Sequence, residues 1–261
     1  MTDRDVFSLA GRVAVVSGGG GAIGSALAAG LARAGASAAV VDADAGSADR
    51  SAAAVRSLGS HSVAITADMT QEAEAERAIS QVVAQYHRLD ILVNAVGGGA
   101  GKALHPAEAY PSSAWDWIFA LNLRTTVIAT QTAVRAMISA GHGGRVLSVS
   151  SVRGQLGIDA GYSAYVGAKG AINSLTRQWA TEWAKHGITV NAIAPTFVDT
   201  PQVADLLADA QFKANLLARV PLKRVGQTSD LIGALLLFCS DASSFITGQV
   251  LTIDGGLTAT Q

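Results

Sequence analysis

"RVAVVSGGGGAIG", residues 12–24, joins an aliphatic run to four consecutive glycines and then to an alanine-rich stretch. Glycine loses more backbone freedom on folding than any other residue. Four in succession make sense where something must approach the backbone more closely than a Cβ permits. Strand, glycine turn and helix is the arrangement in which backbone N–H groups and a helix N-terminus hold a pyrophosphate. A P-loop would need a Gly-Lys-Ser/Thr sequence, and none follows. Glycine clusters also make ordinary tight turns, so the flanking chain must discriminate.

Outward from this stretch, short β-rich runs alternate with longer helical ones. "RVAVVS", "SAAVVDAD", "HSVAITAD", "DILVNAVG", "GRVLSVSS", "GITVNAIAP" and "GQVLTID" read as strands. Helical sequences lie between them, including long ones predicted over about 115–140 and 162–185. Strict alternation implies right-handed crossovers and a parallel sheet. No linker or repeat divides the chain. The expectation is one doubly wound α/β domain over 1–261, a seven-stranded parallel sheet flanked by helices. A polar helical stretch at about 198–222 interrupts the rhythm and is expected to form a substrate loop and lid. Ligands of such folds bind beyond the carboxyl ends of the strands, where strand order reverses.

Composition narrows the function classes. The 261 residues are 49% hydrophobic and 15% charged, with a net charge of −1. No basic field argues for nucleic acid or an anionic membrane. The five histidines are dispersed, so no metal site is expected. Cys239 is alone, which excludes an internal disulfide, and "LIGALLLFCS" reads as a buried apolar setting for it. "MTDRDVFSLAGR" lacks the apolar stretch of a signal peptide, and the longest apolar run, from Leu231 to Cys239, is too short to span a bilayer. A cytoplasmic location is expected.

Candidate residues fall where the topology puts strand ends. Asp42 closes the second strand, placed to accept hydrogen bonds from an adenosine ribose. It would repel a 2′-phosphate, and no Lys or Arg lies within 18–24 or directly after Asp42, so NAD is expected over NADP. Asp44 is a competing candidate. Tyr165 and Lys169 in "YSAYVGAKG" are spaced i, i+4 and share a helix face. A phenol with pKa near 10 is a poor base, and a neighbouring cation favours its ionised form. Such pairs also occur on solvated helices. Here Ser151 lies at the end of strand five, able to bond the same substrate oxygen. Asn122 stands inside a predicted helix that it favours poorly.

Taken together, these motifs resemble the classical short-chain dehydrogenase/reductase family, over almost the whole chain from about Val13 to Gly256. The glycine motif of that family corresponds to Ser17, Gly18, Gly21, Ala22, Ile23 and Gly24, with Ala22 replacing a glycine and Ser17 a threonine. Asp68, with Met69 beside it, stands at the adenine position. "NAVG" supplies Asn94, Ala95 and Gly97, and Pro195, Thr196, Val198 and Thr200 stand at the nicotinamide end. The resemblance implies a Rossmann-type fold and extended NAD. It further implies a catalytic set of Asn122, Ser151, Tyr165 and Lys169. Tyr165 would move the proton between alcohol and ketone, and Ser151 would polarise the oxygen. Lys169 would bind the nicotinamide ribose and lower the Tyr165 pKa, while Asn122 would hold a water leading from Lys169 to solvent. Relatives pair their two long helices into homo-oligomers, commonly tetramers. Ala164, Val166, Ala168 and Trp179 fit such an interface or the core equally.

The substrate is less legible. Lys102, His105, Arg153 and Tyr162 are polar candidates, and Arg153 could pair a carboxylate or sulfonate. These suggest a small polar or anionic alcohol, such as a sugar acid, polyol or hydroxy acid. Leu156, Ile158, Leu206 and Leu207 leave a hydrophobic cyclic alcohol open. The other open readings are a 3-oxoacyl-type reductase and a non-catalytic NAD-binding module.

Overall fold

Along the first strand, β1 (Val13–Ser17), Val13 and Val15 enter one core while Ala14 and Val16 enter another, and all four are buried. The same division by alternate residues holds in β2 (Ser37–Asp42), where Ala38 and Val40 oppose Ala39 and Val41. A strand buried on both faces belongs in a sheet covered by helices on both sides. The computed structural model, which describes residues 5–259, has that architecture. The ends of the expected domain, 1–4 and 260–261, lie outside the described residues.

The chain continues through α1 (Ala22–Arg33), α2 (Ala45–Ser57), β3 (Ser62–Thr66), α3 (Glu72–Tyr86), β4 (Ile91–Asn94), α4 (Ser112–Phe119) and α5 (Thr125–Ala140). It closes with β5 (Gly144–Val149), α6 (Ser163–Trp183), β6 (Ile188–Pro195), α7 (Ala204–Ala208), α8 (Ala210–Arg219), α9 (Ile232–Cys239) and β7 (Val250–Ile253). One seven-stranded parallel sheet results, in the order β3-β2-β1-β4-β5-β6-β7. Leu27 and Leu31 of α1 and Leu235 and Phe238 of α9 fill one face; Ile79 and Val82 of α3 with Ile128 and Met137 of α5 fill the other.

Strand order reverses between β1 and β4, and their ends are level: Ser17 pairs with Asn94, and Asn94 with Ser148. That edge is the crevice where such folds take ligands.

The long helix expected over 115–140 is present and runs on without a gap through one irregular turn. A π-helical turn over Ala120–Arg124 separates α4 from α5 and carries Asn122. Single π turns within helices recur at functional sites. Ser151 lies beyond β5 rather than in it, capping the short 3₁₀ turn Val152–Gly154 by accepting a bond from the Arg153 N–H at 3.1 Å. Ala164, Ala168 and Trp179 pack inside this chain, so they say nothing of a subunit interface. Cys239 is fully buried, and burial pushes its thiol up to about 12, so it is unreactive. No helix among the described residues is long and apolar enough to cross a membrane.

Candidate active site

The glycine turn has distinct duties for each member. Gly18 takes φ +72°, and a Cβ on it would lie 2.6 Å from the Val96 nitrogen, so β1 and the loop after β4 meet in backbone contact. A Cβ on Gly20 would strike Ser47 and the Asp42 carboxylate. Gly24, already inside α1, sits against the Gly18 carbonyl, which its Cβ would meet at 2.1 Å. The helix thereby starts hard against the strand end. Its N-cap, Gly21, provides no side-chain bond, so the first-turn N–H groups are left for an anion. Ala22 is exposed at that first turn.

Asp42 and Asp44 are now separable. Asp44 caps α2, accepting from the Ser47 N–H at 2.7 Å, which holds its carboxyl below the usual range. Asp42 instead accepts from the Gly20 N–H at 2.9 Å, on the turn itself. The structure also brings in a residue that sequence distance hid. Arg50, one helical turn beyond Ser47, donates to its hydroxyl at 2.8 Å beside the same edge. Asp68 is held in a local turn, accepting from the N–H and hydroxyl of Thr70 at 2.9 and 2.8 Å, with Met69 buried next to it. Asn94 is buried in the sheet, donating to Thr130 and Ser148.

Across the switch point lies a cavity of about 470 Å³. Residues 20–24, the loop 95–101 and the segment 195–198 line one part of it. Ser151, Tyr165 and Lys169 line another, as the sequence spacing anticipated. The fit to a nicotinamide dinucleotide is supported by uncapped helix N–H groups, a backbone approach that Cβ atoms would block, and Thr196 Oγ1. That oxygen is buried at the cleft with no hydrogen-bond partner among the described residues. Gly18, Asp42, Asp68, Met69 and Asn94 lie outside this cavity's lining, and Thr200 lies within it.

Lys169 is 3% exposed. Its Nζ donates to the Val149 carbonyl at 2.9 Å and stands 5.7 Å from the centroid of the Tyr165 ring. Burial lowers its pKa to about 8. Burial pushes the Tyr165 phenol up, with Ser151 pulling the other way. Desolvation, which disfavours a phenolate, is the largest influence on the phenol, and the Arg153 cation also pulls it down.

Asn122 is bonded through its side chain to the loop after β4 and to its own helix. Both amide N–H groups are used, donating to Ile118 O at 3.0 Å and Gly98 O at 3.1 Å, while Oδ1 accepts from the Gly98 N–H at 2.9 Å. A Cβ on Gly97 would meet both Asn122 Oδ1 and Lys169 Nζ. Asn122 thus braces the loop after β4 against the lysine.

Asn173 was invisible to motif reading. It lies two turns beyond Tyr165 on α6 and is buried. Ser150 Oγ donates to Asn173 Oδ1 at 2.6 Å, and Asn173 Nδ2 donates to Gly154 O at 3.2 Å. The turn carrying Ser151 is pinned between these bonds. Only the packing of α6 against the turn after β5 reveals it. Asn173→Ala removes the donor to the Gly154 carbonyl and leaves Ser150 Oγ only its longer bond to the Lys169 carbonyl at 3.3 Å, at a cost of roughly 1–3 kcal/mol. Differential scanning calorimetry should show a melting temperature lower by a few to about 10 °C, with kcat reduced and dinucleotide affinity unchanged. An unaltered melting temperature and kcat would remove the bracing role.

On the substrate side, Arg153 and Tyr162 line the cavity, as do Ile158 and Leu206. Lys102 is exposed on a 3₁₀ turn and outside the lining. Its glycine-flanked loop turns the ammonium to solvent. His105 lines a separate cavity with Glu108 and Asp159, and Leu156 and Leu207 line neither. The segment after Thr200 overhangs the cleft, with Gln202 reaching the Gly97 carbonyl at 3.5 Å.

Fold and site define a dinucleotide-dependent oxidoreductase: the chain belongs to the short-chain dehydrogenase/reductase family. The family model described as "Enoyl-(Acyl carrier protein) reductase" matches residues 19–258. The chain is 33% identical to gluconate 5-dehydrogenase of Gluconobacter oxydans over 258 residues, 99% of each chain. It is 36% identical to cis-4-hydroxycyclohexanecarboxylate dehydrogenase of Sinomonas cyclohexanicum over 252 residues, covering 97% of this chain and 98% of that one. The crystal structure of a gluconate 5-dehydrogenase from Burkholderia cenocepacia in complex with NADP and tartrate superposes with a TM-score of 0.91. That structure is 34% identical, covering 98% of this chain and 99% of that one.

Proposed function

We propose that this protein is an NAD-dependent oxidoreductase interconverting a secondary alcohol and a ketone on a small hydroxy acid of the sugar-acid type. The observation that carries the reading is the convergence of Ser151, Tyr165 and Lys169 on one cavity that also borders the glycine turn. Relatives named for gluconate and for a hydroxycyclohexanecarboxylate support the substrate class. The chemistry supplied by a bound nicotinamide dinucleotide is two-electron exchange, as hydride.

The chain's own residues handle the proton. In oxidation, Tyr165 Oη accepts the alcohol proton, and in reduction it returns one to the oxygen of the ketone. Ser151 Oγ–H bonds that oxygen and fixes its distance from the phenol. Lys169, charged below a pKa of about 8, stabilises negative charge on the ring it faces. Asn122 and Asn173 keep the two loops of the site in place, and the segment 198–222 closes over the substrate. The same reading includes a cytoplasmic, homo-oligomeric enzyme.

Dinucleotide choice rests on Asp42. A ribose diol donates to its carboxylate, whereas a 2′-phosphate meets like charge. The NADP named in the Burkholderia complex, together with Arg50 at Ser47, makes NADP the second reading. Steady-state kinetics on hydroxy acids with both dinucleotides tests the pair. Wild type should favour NAD, and Asp42→Ala should narrow that preference by roughly 10–100-fold, the value of a charge-assisted hydrogen bond. Unchanged selectivity would assign the choice to Arg50.

A further inference from the structure

The structure assigns Arg153 as an anion anchor, a specificity-determining residue that holds the substrate's acid group while its hydroxyl meets Tyr165 and Ser151. The inference rests on the proposed oxidoreductase reading and deepens it.

Arg153 is only 7% exposed, yet it is not consumed by the fold. A guanidinium carries five N–H donors. One bond is made by this side chain, from Nη1 to the Gly157 carbonyl at 3.0 Å. No carboxylate pairs with it among the described residues; the buried or half-buried arginines Arg12 and Arg145 both reach Asp241. Asp159, the acid nearest in sequence, lines the other cavity. Burying a cation without a counter-charge is costly, and structural arginines avoid it.

What surrounds Arg153 deepens the deficit. Burial depresses its pKa, and the next contributor is a second cation, Arg219, at the end of α8. The phenols of Tyr162 and Tyr165 offset this only in part. Arg153 lines the same cavity as Ser151 and Tyr165. Its position two residues past Ser151, on the turn held by Asn173, keeps it fixed relative to the proton-transfer pair. A planar carboxylate or a sulfonate offers the paired acceptors that a guanidinium fork takes. The occupant is thus an anionic hydroxy or keto compound, with Arg219 contributing weaker, longer-range attraction from the segment over the cleft.

The test is calorimetric titration of the NADH-loaded protein, which cannot oxidise its ligand, with D-gluconate and, separately, with its uncharged analogue D-gluconamide. Wild type should bind the acid roughly 10–100-fold more tightly than the amide. Arg153→Gln should bring the two within a few-fold, by weakening the acid alone, and Arg153→Lys should restore part of the difference. Arg219→Gln should lower acid affinity less, and more so at low salt. Equal wild-type affinities, no binding of the acid, or an Arg153→Gln loss shared by acid and amide would each overturn the anchor. A drop in melting temperature with the acid preference intact would do so too, giving Arg153 a structural role. NADH binding, measured first in the same cell, separates outcomes. Its absence counts against the oxidoreductase reading, whereas a lost acid preference with NADH bound counts against Arg153 alone.

Discussion

Tyr165→Phe is expected to lower kcat by roughly 10²–10⁴-fold, the contribution typical of a positioned acid–base group, while dinucleotide affinity stays unchanged. The substitution removes one oxygen and little else. A phenylalanine keeps the ring that meets Tyr162 edge-on at 6.3 Å between centroids and that Lys169 faces. The half-buried ring remains packed with Ala164 and Ala168 at the start of α6. Loss of rate without loss of fold or cofactor binding therefore isolates the hydroxyl. Nicotinamide absorbance gives the rate and calorimetry gives the affinity. A mutant retaining near wild-type turnover would reassign the proton transfer. Because burial holds the phenol above its ordinary value and Lys169 loses its charge above about 8, the wild-type oxidation rate should climb with pH only up to about 8, and the mutant's residual rate should not share that climb.

The second large effect lies in the glycine turn. Gly24→Ala places a methyl 2.1 Å from the Gly18 carbonyl oxygen and 2.8 Å from the Gly19 Cα. Both obstacles are backbone, so no rotamer relieves the clash, and α1 must withdraw from β1. Overpacking of this kind costs about 1–3 kcal/mol, occasionally more. That corresponds to roughly 3–10 °C in melting temperature for a chain of this size. The uncapped N–H groups of α1 move with the helix, so dinucleotide binding should fall further than stability does. Gly21→Ala is the control. Its φ of −72° suits any residue, and its Cβ would find only Gly18 O, at 3.4 Å. Its melting temperature should stay at the wild-type value. If the two variants behave alike in thermal denaturation and in dinucleotide titration, backbone contact between helix and strand does not explain the turn.

Much of this was readable from residues in order. Alternation of aliphatic and helical runs gives a parallel doubly wound sheet, since a strand buried on both faces must be hydrophobic throughout. Tyr165 and Lys169 are spaced by the period of one helix, so their shared face needs no tertiary information. Asn122 looked misplaced inside a helix, and the reason is that the helix opens there into a π turn whose side chain bonds another loop. Its side-chain donors go to Ile118 and Gly98, a pairing that only the fold reveals.

Sequence alone thus determined the fold class and singled out the proposed reaction group and the acid after strand two, because each rests on local periodicity or on neighbours within a few residues. Tertiary structure alone decided which glycines are indispensable, that Asp44 caps a helix while Asp42 faces the turn, that Asn173 pins Ser151's turn, and that Arg153 is buried without a counter-ion. Each of these is a contact between segments brought together by strand order, or a partner's absence after folding. Neither the distances nor the lost hydration that set their energies exist until the sheet has formed.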